Sequence, residues 1–342
     1  MDQQVKEKIL VLGAGGWGTT LAILLADKGF RVDLWEPFAG QAEALRRRRE
    51  NLNFLPGVPI PPQINITSHL EEVAPEKDII LAVLPSHFVR KGVQRLAQCR
   101  ILPHAVIVSA SKGIENRSNL RMSQVIASEL PHNRIVVLSG PSHAEEVSRN
   151  IPTLIVVATP DEDLAKYIQN ILTTPNFRAY TSPDVVGVEL GAALKNIVAI
   201  SVGISDGLGW GDNTRAALMA RGLAEIARLG VAMGAEPPTF AGLCGLGDLI
   251  VTCTSKHSRN YRLGEALGKG ESLKEILKGM TMVAEGVRAT KSAYQLAKKH
   301  NVEMPIVAAV YGVLYRGEAP QSVVTNLMTE EAGPEQKEGL WG

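Results

Sequence analysis

Apolar and polar positions follow two different patterns along the chain. In the first half, short apolar runs alternate with helical patterns, which is typical of a parallel sheet covered by helices on both faces. Gly29 marks the end of the first predicted helix, and four prolines between positions 56 and 62 predict a loop. The runs that predict strands lie at residues 8–12, 31–35, 78–84, 105–109, 135–138 and 153–158, and the intervening patterns predict helices at 17–28 and 41–50.

Strand-like runs stop at Pro183, and helical periodicity takes over, for example at residues 215–229 and 272–277. A chain of 342 residues exceeds the size at which one hydrophobic core keeps growing, so two domains are expected. We therefore predict an α/β domain with a doubly wound, mostly parallel sheet over residues 1–182. An all-α domain follows over residues 183–328, and residues 329–342 form a polar tail.

The first predicted strand ends in a glycine-rich loop, residues 13–18, with the sequence GAGGWG. Gly13 permits a tight turn, Gly15 and its neighbour Gly16 let the backbone approach a pyrophosphate, and Gly18 lets the helix pack closely on the strand. Glu36 ends the second strand, where an acid accepts hydrogen bonds from ribose hydroxyls. Strand, glycine loop, helix, strand and acid together predict a Rossmann domain that binds NAD or NADP.

The most apolar stretch of the chain, residues 185–204, contains a Lys-Asn pair at Lys195 and Asn196. A helix that is apolar all round is buried, and an ammonium taken out of water must be paired or lose its proton. Desolvated lysines are concentrated in active sites, so we interpret Lys195 as a catalytic group rather than a structural ion pair.

A second polar cluster follows at residues 248–260. Asp248 opens an apolar run and requires a cation, while Ser258 is a plausible N-cap for a helix that runs to about residue 267. That helix carries Arg259 and Asn260 in its first turn, and an arginine beside a helix N-terminus is typical of a phosphate site. An ordinary capped helix with a surface arginine is the alternative.

Two features at the ends of predicted strands remain ambiguous. Phe88 either walls off the nicotinamide or packs within its helix. Ser142 lies in GPSHA at 140–144, which superficially resembles the nucleophile elbow of a hydrolase, but Ala144 replaces the last glycine of that motif. We interpret this loop as one that offers backbone groups to a substrate.

Composition excludes several other classes. The net charge is +1, and the basic run at residues 46–49 is interpreted as a solvated helix face, so no nucleic-acid partner is expected. The three cysteines form no disulfide framework, which indicates a cytoplasmic protein. Cys244, Cys253 and His257 match no common zinc spacing, so no metal is predicted. The charged N-terminus is no signal peptide, and no membrane span is predicted.

These motifs together resemble the bacterial type of NAD(P)-dependent glycerol-3-phosphate dehydrogenase, over residues 8–325. The resemblance rests on GAGGWGT at 13–19, PSH at 85–87, SKG at 111–113, SGPSHAEE at 139–146, GVELGAALKN at 187–196, GLGDLIVTCTSKHSRN at 245–260, VAEG at 283–286 and MPI at 304–306. It implies a Rossmann domain followed by a helical domain similar to that of 6-phosphogluconate dehydrogenase. It also implies reversible reduction of dihydroxyacetone phosphate to sn-glycerol 3-phosphate, a precursor of phospholipids.

The resemblance assigns a role to individual positions. Lys195 matches the catalytic lysine. Substrate positions are matched by Lys112, Gly140, Ser142, Asn196, Asp248, Thr252, Ser258, Arg259 and Asn260. Positions lining the cofactor are matched by Trp17, Lys112, Ala144, Arg259, Val283 and Glu285. The segment after the second strand, Trp-Glu-Pro-Phe, varies in the family and bears on the choice of cofactor.

Charge predicts the mechanism. Hydride addition to a ketone leaves an alkoxide, which Lys195 stabilises and protonates, while Lys112 and Asp248 tune and orient its ammonium. Glu36 favours NAD, but the arginines at 46–49 are a possible counterweight, so NAD and NADP stay open. Other two-domain β-hydroxy or 2-keto acid reductases and a non-catalytic NAD(P)-sensing regulator are the alternatives, and a homodimer is the base-rate expectation.

Overall fold

The computed structural model of the protein describes residues 7–280, 284–322 and 325. The chain folds into two compact units. One contains the chain up to Ser111 together with Met122–Pro183, and the other contains Lys112–Arg121 and the chain from Asp184 onward. The predicted division at residue 182 placed Lys112–Arg121 with the N-terminal domain, whereas these residues belong to the second unit. The predicted tail at 329–342 lies outside the described residues.

The first unit alternates strands and helices. In chain order its elements are β1 (Lys8–Leu12), α1 (Gly16–Asp27), β2 (Arg31–Trp35), α2 (Ala39–Arg48), β3 (Glu50–Asn51), β4 (Leu55–Pro59), β5 (Asn65–Thr67), α3 (Leu70–Val73), β6 (Ile79–Ala82), α4 (Ser86–Ala97), β7 (Val106–Ser109), α5 (Met122–Glu129), β8 (Arg134–Ser139), α6 (Ala144–Val147), β9 (Thr153–Ala158), α7 (Glu162–Leu172) and β10 (Phe177–Ser182).

An eight-stranded sheet is the centre of the first unit, with strand order β10-β9-β8-β7-β6-β1-β2-β5. β1 pairs in parallel with β2 on one side and with β6 on the other, so the order of strands reverses at β1. Ligands of doubly wound sheets bind beyond the carboxyl ends of the strands at such a reversal. The glycine loop after β1 therefore occupies the expected ligand-binding position.

The sheet is mostly parallel, as predicted, but β9 runs antiparallel to β8. Residues 140–152 connect these strands and contain only the short helix Ala144–Val147, whereas a parallel crossover usually needs a full helix across the sheet. The predicted proline loop is partly wrong, because β3 and β4 pair there as a small antiparallel sheet. The short strand β5 and the edge strand β10 were not predicted; β10 alternates buried and exposed positions, unlike the continuous apolar runs.

The second unit is helical. Its elements from Asp184 onward are α8 (Val185–Gly207), α9 (Asp212–Ala232), α10 (Pro237–Ala241), a π-helical segment (Leu243–Gly247), α11 (Asp248–Thr254), α12 (Arg259–Gly268), α13 (Leu273–Gly279), α14 (Glu285–Lys299), α15 (Pro305–Tyr311) and a second π-helical segment (Gly312–Arg316).

Helix α8 is the core element of the second unit. By length and composition alone it is apolar enough to cross a membrane, but 89% of its most apolar window is buried inside the protein. Asp184 caps its N-terminus by accepting a hydrogen bond from the backbone N–H of Gly187 at 2.8 Å. Helices α9, α11, α12 and α14 pack around it. The core formed in this way holds Lys195 at a buried position.

Two glycines bring α12 unusually close to α8. A Cβ added to Gly203 would lie 2.1 Å from the carbonyl oxygen of Tyr261, and one added to Gly264 would lie 2.1 Å from that of Ile200. Any larger residue would force the two backbones apart. This contact holds the N-terminal turn of α12 beside the middle of α8.

Candidate active site

The glycine loop of the first unit has the geometry of a dinucleotide site. Gly13 has φ = +120°, a conformation that favours glycine, and its backbone N–H donates to the carbonyl oxygen of Trp35 at 3.0 Å. A Cβ on Gly18 would lie 1.9 Å from the Gly13 oxygen, so helix and loop are in direct backbone contact. A Cβ on Gly15 would meet no atom within 4 Å. Gly15 caps α1, so open space lies at a helix N-terminus, where a pyrophosphate fits.

Asn51 supports this loop from β3. Its Nδ2 donates to the carbonyl oxygen of Ala14 at 2.8 Å and to Oγ1 of Thr19 at 2.9 Å, and the side chain is fully buried. The predicted proline loop gave no signal for this contact, because nothing in the local pattern connects Asn51 with a loop 37 residues earlier.

Glu36 lies at the end of β2, as predicted, and is largely buried. Burial raises the pKa of its carboxyl group, while a hydrogen bond from the backbone N–H of Phe38 to Oε1, at 3.2 Å, acts in the opposite direction. The nearby basic run has other partners: Arg46 pairs with Glu43 at 2.7 Å, and Arg49 donates to the carbonyl oxygen of Ile64 at 2.8 Å.

The first unit contains three further predicted cofactor residues, Trp17, Ala144 and Phe88. Trp17 lies in the first turn of α1, with its ring centroid 6.2 Å from that of Phe177. The carbonyl oxygen of Ala144 accepts a hydrogen bond from Oγ1 of Thr20 at 3.3 Å, which ties α6 to α1. Phe88 lies on α4 and is 46% exposed, and its ring centroid lies 4.0 Å from that of His87 on the same helix.

Gly140 and Ser142 lie in the loop after β8. Gly140 has φ = +131°, and a Cβ there would lie 3.1 Å from the Cα of Ile155 on β9. The hydroxyl of Ser142 donates to the carbonyl oxygen of Gly140 at 3.0 Å. The loop is therefore a tight turn that packs against β9.

The second unit brings Lys195, Asp248 and Lys112 together. Nζ of Lys195 lies 2.6 Å from Oδ1 of Asp248, and Nζ of Lys112 lies 2.8 Å from Oδ2 of the same carboxylate. The Lys195 ammonium also donates to Oγ1 of Thr252 at 2.5 Å. Thr252 in turn donates to the backbone oxygen of Asp248 at 2.6 Å, one turn earlier on α11. The structure thus assembles residues that are 136 positions apart in the sequence.

The electrostatics of this cluster follow from two cations sharing one buried anion. Burial lowers the pKa of Lys195 to about 8; Asp248 acts against that shift, and the like charge of Lys112 adds to it. Burial acts to raise the pKa of Asp248, but the two lysines outweigh burial, and the pKa lies below its usual value. Asp248 therefore remains a carboxylate, and Lys195 changes its protonation state near physiological pH.

Close packing explains how Asp248 reaches Lys195. A Cβ on Gly191 would lie 2.5 Å from the carbonyl oxygen of Cys244, so the π-helical segment directly before Asp248 contacts the backbone of α8. Gly191 lies one helical turn before Lys195. A glycine inside a helical pattern is a sequence signal of such a close approach.

The start of α12 is tied to α8 by side-chain amides. Nδ2 of Asn260 donates to Oδ1 of Asn196 at 2.9 Å, and Oδ1 of Asn260 accepts from the backbone N–H of Gly286 at 2.9 Å. Ser258 is the N-cap of α12, as predicted, and accepts from the backbone N–H of Tyr261 at 3.2 Å. Arg259 is the first residue of this helix and is partly buried.

Two predicted cofactor residues, Val283 and Glu285, lie in the segment around the start of α14. Glu285 is the first residue of α14 and directly precedes Gly286, which lies against Asn196 and Asn260. Val283 lies outside the described residues.

The fold and these two sites define a class: a two-domain dehydrogenase with a dinucleotide-binding Rossmann domain followed by a helical domain. The profile for the N-terminus of NAD-dependent glycerol-3-phosphate dehydrogenase matches residues 8–165, and that for its C-terminus matches residues 184–325. The chain belongs to the NAD-dependent glycerol-3-phosphate dehydrogenase family.

Individual relatives agree with this placement. The glycerol-3-phosphate dehydrogenase [NAD(P)+] of Moorella thermoacetica is 51% identical over 98% of this chain and 100% of its own length. The crystal structure of glycerol-3-phosphate dehydrogenase from Coxiella burnetii matches with a TM-score of 0.92 and 37% identity, over 95% of this chain and 100% of that one. A ketopantoate reductase from Ralstonia eutropha shares the fold, with a TM-score of 0.59 at 12% identity over 94% of this chain and 99% of that one.

Proposed function

We propose that this protein catalyses the reversible reduction of dihydroxyacetone phosphate to sn-glycerol 3-phosphate with NADH or NADPH. The observation that carries the proposal is the buried cluster in which Lys195 and Lys112 share the carboxylate of Asp248. Family membership supports the same reaction, and the relatives from Moorella thermoacetica and Coxiella burnetii are both named glycerol-3-phosphate dehydrogenase.

The proposed chemistry centres on the ammonium of Lys195. When bound, the nicotinamide supplies the hydride that is added to the ketone carbon. The Lys195 ammonium hydrogen-bonds the ketone oxygen, stabilises the developing alkoxide and donates a proton to it. In the direction of oxidation the neutral amine accepts the proton from the hydroxyl. A pKa near 8 suits both directions, because both protonation states are populated close to neutral pH.

Asp248 and Lys112 prepare Lys195 for this role. Asp248 and Thr252 hold its Nζ by hydrogen bonds and thereby fix the direction of the remaining N–H bond. Burial lowers the pKa of Lys195, and the second positive charge that Lys112 supplies at the same carboxylate adds to this shift. A substrate oxygen near both ammonium groups gains stabilisation as its negative charge develops.

The phosphate of the substrate is proposed to bind at the N-terminus of α12. That helix begins with Arg259 and is capped by Ser258, so a guanidinium and the first backbone N–H groups share one helix end. The side-chain amide of Asn260 is engaged with Asn196 and Gly286. We therefore assign the phosphate contact of Asn260 to its backbone N–H, while its side chain holds the end of the helix in place.

The remaining predicted site residues keep their roles as proposals. The pyrophosphate of the cofactor is assigned to the loop of Gly13, Gly15, Gly16 and Gly18, supported by the open space at Gly15. Glu36 is assigned to the ribose, and Gly140 and Ser142 to the substrate. Further cofactor contacts are assigned to Trp17, Phe88, Lys112, Ala144, Arg259, Val283 and Glu285.

Composition and chemistry also support proposals about where the protein acts and what its product is used for. Cys99, Cys244 and Cys253 are free thiols, as expected of a chain kept in the cytoplasm. The product is a backbone precursor of phospholipids, so a role in phospholipid synthesis is proposed. We also propose that the protein is a homodimer and that it is not inserted into a membrane.

A steady-state assay tests the proposal. NADH and NADPH oxidation at 340 nm is measured with dihydroxyacetone phosphate and, in parallel, with ketopantoate; NAD and NADP reduction is measured with 3-hydroxyisobutyrate. We expect turnover with dihydroxyacetone phosphate at a kcat/KM at least about 100-fold above the carboxylate substrates, since the proposed site places Arg259 and a helix N-terminus at the phosphate. Preference for a carboxylate substrate contradicts the proposal in favour of the acid reductases, and no turnover with any substrate favours the sensing regulator.

A further inference from the structure

Lys112 reaches the active-site cluster on a short excursion of the chain. Residues 112–121 follow β7 and precede α5, two elements of the first unit, yet they belong to the second unit. Lys112, at the start of this excursion, pairs with Asp248. Because the excursion contains no helix and no long strand, other contacts must hold Lys112 in place.

The excursion is folded back on itself as a small hairpin. Ile114 and Arg121 form an antiparallel β-bridge, and the backbone N–H of Glu115 donates to the carbonyl oxygen of Leu120 at 3.0 Å. The side chain of Ile114 lies in the hydrophobic core of the second unit. Arg121 lies opposite Ile114 in this bridge, and Ile114 follows Lys112 by only two positions in the chain. The position of Arg121 and the position of Lys112 are mechanically coupled.

Arg121 in turn is anchored to α8. Its guanidinium forms an ion pair with the carboxylate of Glu189, and the exposed fractions of the two side chains are 12% and 5%. Glu189 lies on α8, the helix that also carries Lys195. A buried ion pair contributes little net stability, but removing one charge from it is costly, so it specifies one arrangement of the groups it joins.

The tip of the hairpin makes a further contact with the second unit, since Oγ of Ser292 on α14 donates to Oδ1 of Asn116 at 3.1 Å.

We propose that Arg121 and Glu189 are positioning residues for the reaction: their buried ion pair fixes the 112–121 hairpin to α8 and so sets Lys112 against Asp248. The inference rests on the proposed function, because it assigns these residues a role in arranging that site. Neither residue contacts the reacting atoms in this proposal. They act through Lys112.

The proposal has a consequence that a merely structural role lacks. The like charge of Lys112 contributes to the low pKa of Lys195, although burial is the main cause. Releasing the hairpin moves that charge away, and the pKa of Lys195 then rises. A loss of stability alone reduces the amount of active protein but leaves the pKa of the proton donor unchanged.

The test compares Glu189→Gln with Lys112→Gln as reference and Glu225→Gln as matched control. Glu225 is also a buried carboxylate on a helix of the second unit, where it accepts from the backbone N–H groups of Ile306 and Val307 at 2.8 and 3.3 Å. The pH profile of kcat for reduction is measured for each, together with hydrogen exchange of peptides covering residues 112–121.

We expect Glu189→Gln to lower kcat by about tenfold and to move the alkaline limb of the profile to higher pH, in the same direction as Lys112→Gln. Exchange in the hairpin peptides should accelerate. Glu225→Gln should change neither the limb nor the hairpin exchange, and Glu189→Asp, which restores the charge, should recover part of both. If Glu189→Gln does not fold, Glu189→Asp and Arg121→Lys carry the same comparison with smaller shifts.

If Lys112→Gln moves the alkaline limb of the pH profile but Glu189→Gln does not, the positioning role is overturned. The proposed function then remains intact. Absence of turnover in the wild-type protein contradicts the proposed function instead. The hairpin exchange then still decides the structural part, since unchanged exchange in Glu189→Gln refutes the anchoring.

Discussion

Nζ of Lys195 lies 2.6 Å from Oδ1 of Asp248, where the exposed fractions of the two side chains are 7% and 1%. A buried ammonium and a buried carboxylate at this distance are each costly alone and tolerable together. The second cation, Lys112, on the other carboxylate oxygen gives the cluster an excess positive charge. That like charge adds to the effect of burial, which lowers the pKa of Lys195 to about 8.

Replacing Lys195 by Met removes the proton donor while keeping a side chain of similar length. We expect Lys195→Met to abolish turnover while NADH still binds, since the dinucleotide loop lies in the other unit of the chain. Steady-state kinetics and fluorescence titration with NADH measure the two effects. The exposed Lys299→Met is the control and should behave as wild type. A Lys195→Met protein that retains more than about a tenth of kcat, a loss below about 1.4 kcal/mol, contradicts the catalytic role.

The pKa of Lys195 near 8 predicts opposite pH dependences for the two directions of the reaction. Reduction requires the ammonium, so its kcat should fall as the pH rises through about 8. Oxidation requires the neutral amine, so its kcat should rise over the same range. In Lys112→Gln the like charge is lost, and both limbs should move to higher pH. Profiles of kcat against pH from about 6 to 10, measured in both directions, check this prediction. If kcat changes in the same direction for both reactions, or if neither profile moves in Lys112→Gln, the role of Lys195 as proton donor and acceptor is refuted.

The sequence predicted the central strands and the helical second half, but not every edge element and not the contacts between distant residues. The strands at Lys8–Leu12, Arg31–Trp35 and Thr153–Ala158 lie where their continuous apolar runs predict, because both faces of the sheet are buried. The edge strand β10 lacks such a run and escaped prediction. Lys195 could be singled out because its charge conflicts with an apolar helix, a conflict that is visible locally.

The ion pair of Arg121 with Glu189 illustrates what the sequence could not provide. Glu189 lies in the same apolar stretch as Lys195, but nothing in the sequence connects it with Arg121, which lies 68 positions earlier. Only the fold shows that the two side chains are 12% and 5% exposed and form an ion pair. Only the fold shows that the hairpin carrying Lys112 belongs to the helical unit. The same holds for Asn51, whose contact with the glycine loop depends on a pairing of two short strands in a proline-rich segment.

Arg259→Ala removes the guanidinium proposed to bind the phosphate. We expect the KM for dihydroxyacetone phosphate to rise by about 100-fold with a smaller change in kcat, because a charge-assisted contact is made in both ground and transition states. Arg262→Ala, an exposed position on the same helix, controls for loss of a positive charge near the site. An unchanged KM in Arg259→Ala, or an equal rise in Arg262→Ala, removes the phosphate assignment.

Gly203→Ala tests the close contact between α8 and α12. The new Cβ would lie 2.1 Å from the carbonyl oxygen of Tyr261, a backbone atom that cannot move without its helix. We expect a loss of at least about 1–3 kcal/mol in the free energy of unfolding and a raised KM, since Arg259 and Asn260 move with α12. Gly40→Ala is the control, because a Cβ there meets no atom within 4 Å. Denaturant unfolding and kinetics measure both, and a Gly203→Ala protein with wild-type stability contradicts the contact.

Glu36→Gln tests the choice between NAD and NADP. The carboxylate of Glu36 repels a 2′-phosphate. Two of the four arginines of the basic run have other partners, Arg46 with Glu43 and Arg49 with the carbonyl oxygen of Ile64. We therefore expect the wild-type protein to favour NADH, and Glu36→Gln to lower the ratio of kcat/KM for NADH over NADPH by about tenfold. Glu43→Gln, which changes an exposed carboxylate on α2, should leave the ratio nearly unchanged. A wild-type preference for NADPH shows instead that the basic run compensates for Glu36, and a ratio that is insensitive to Glu36→Gln removes this residue from the cofactor site.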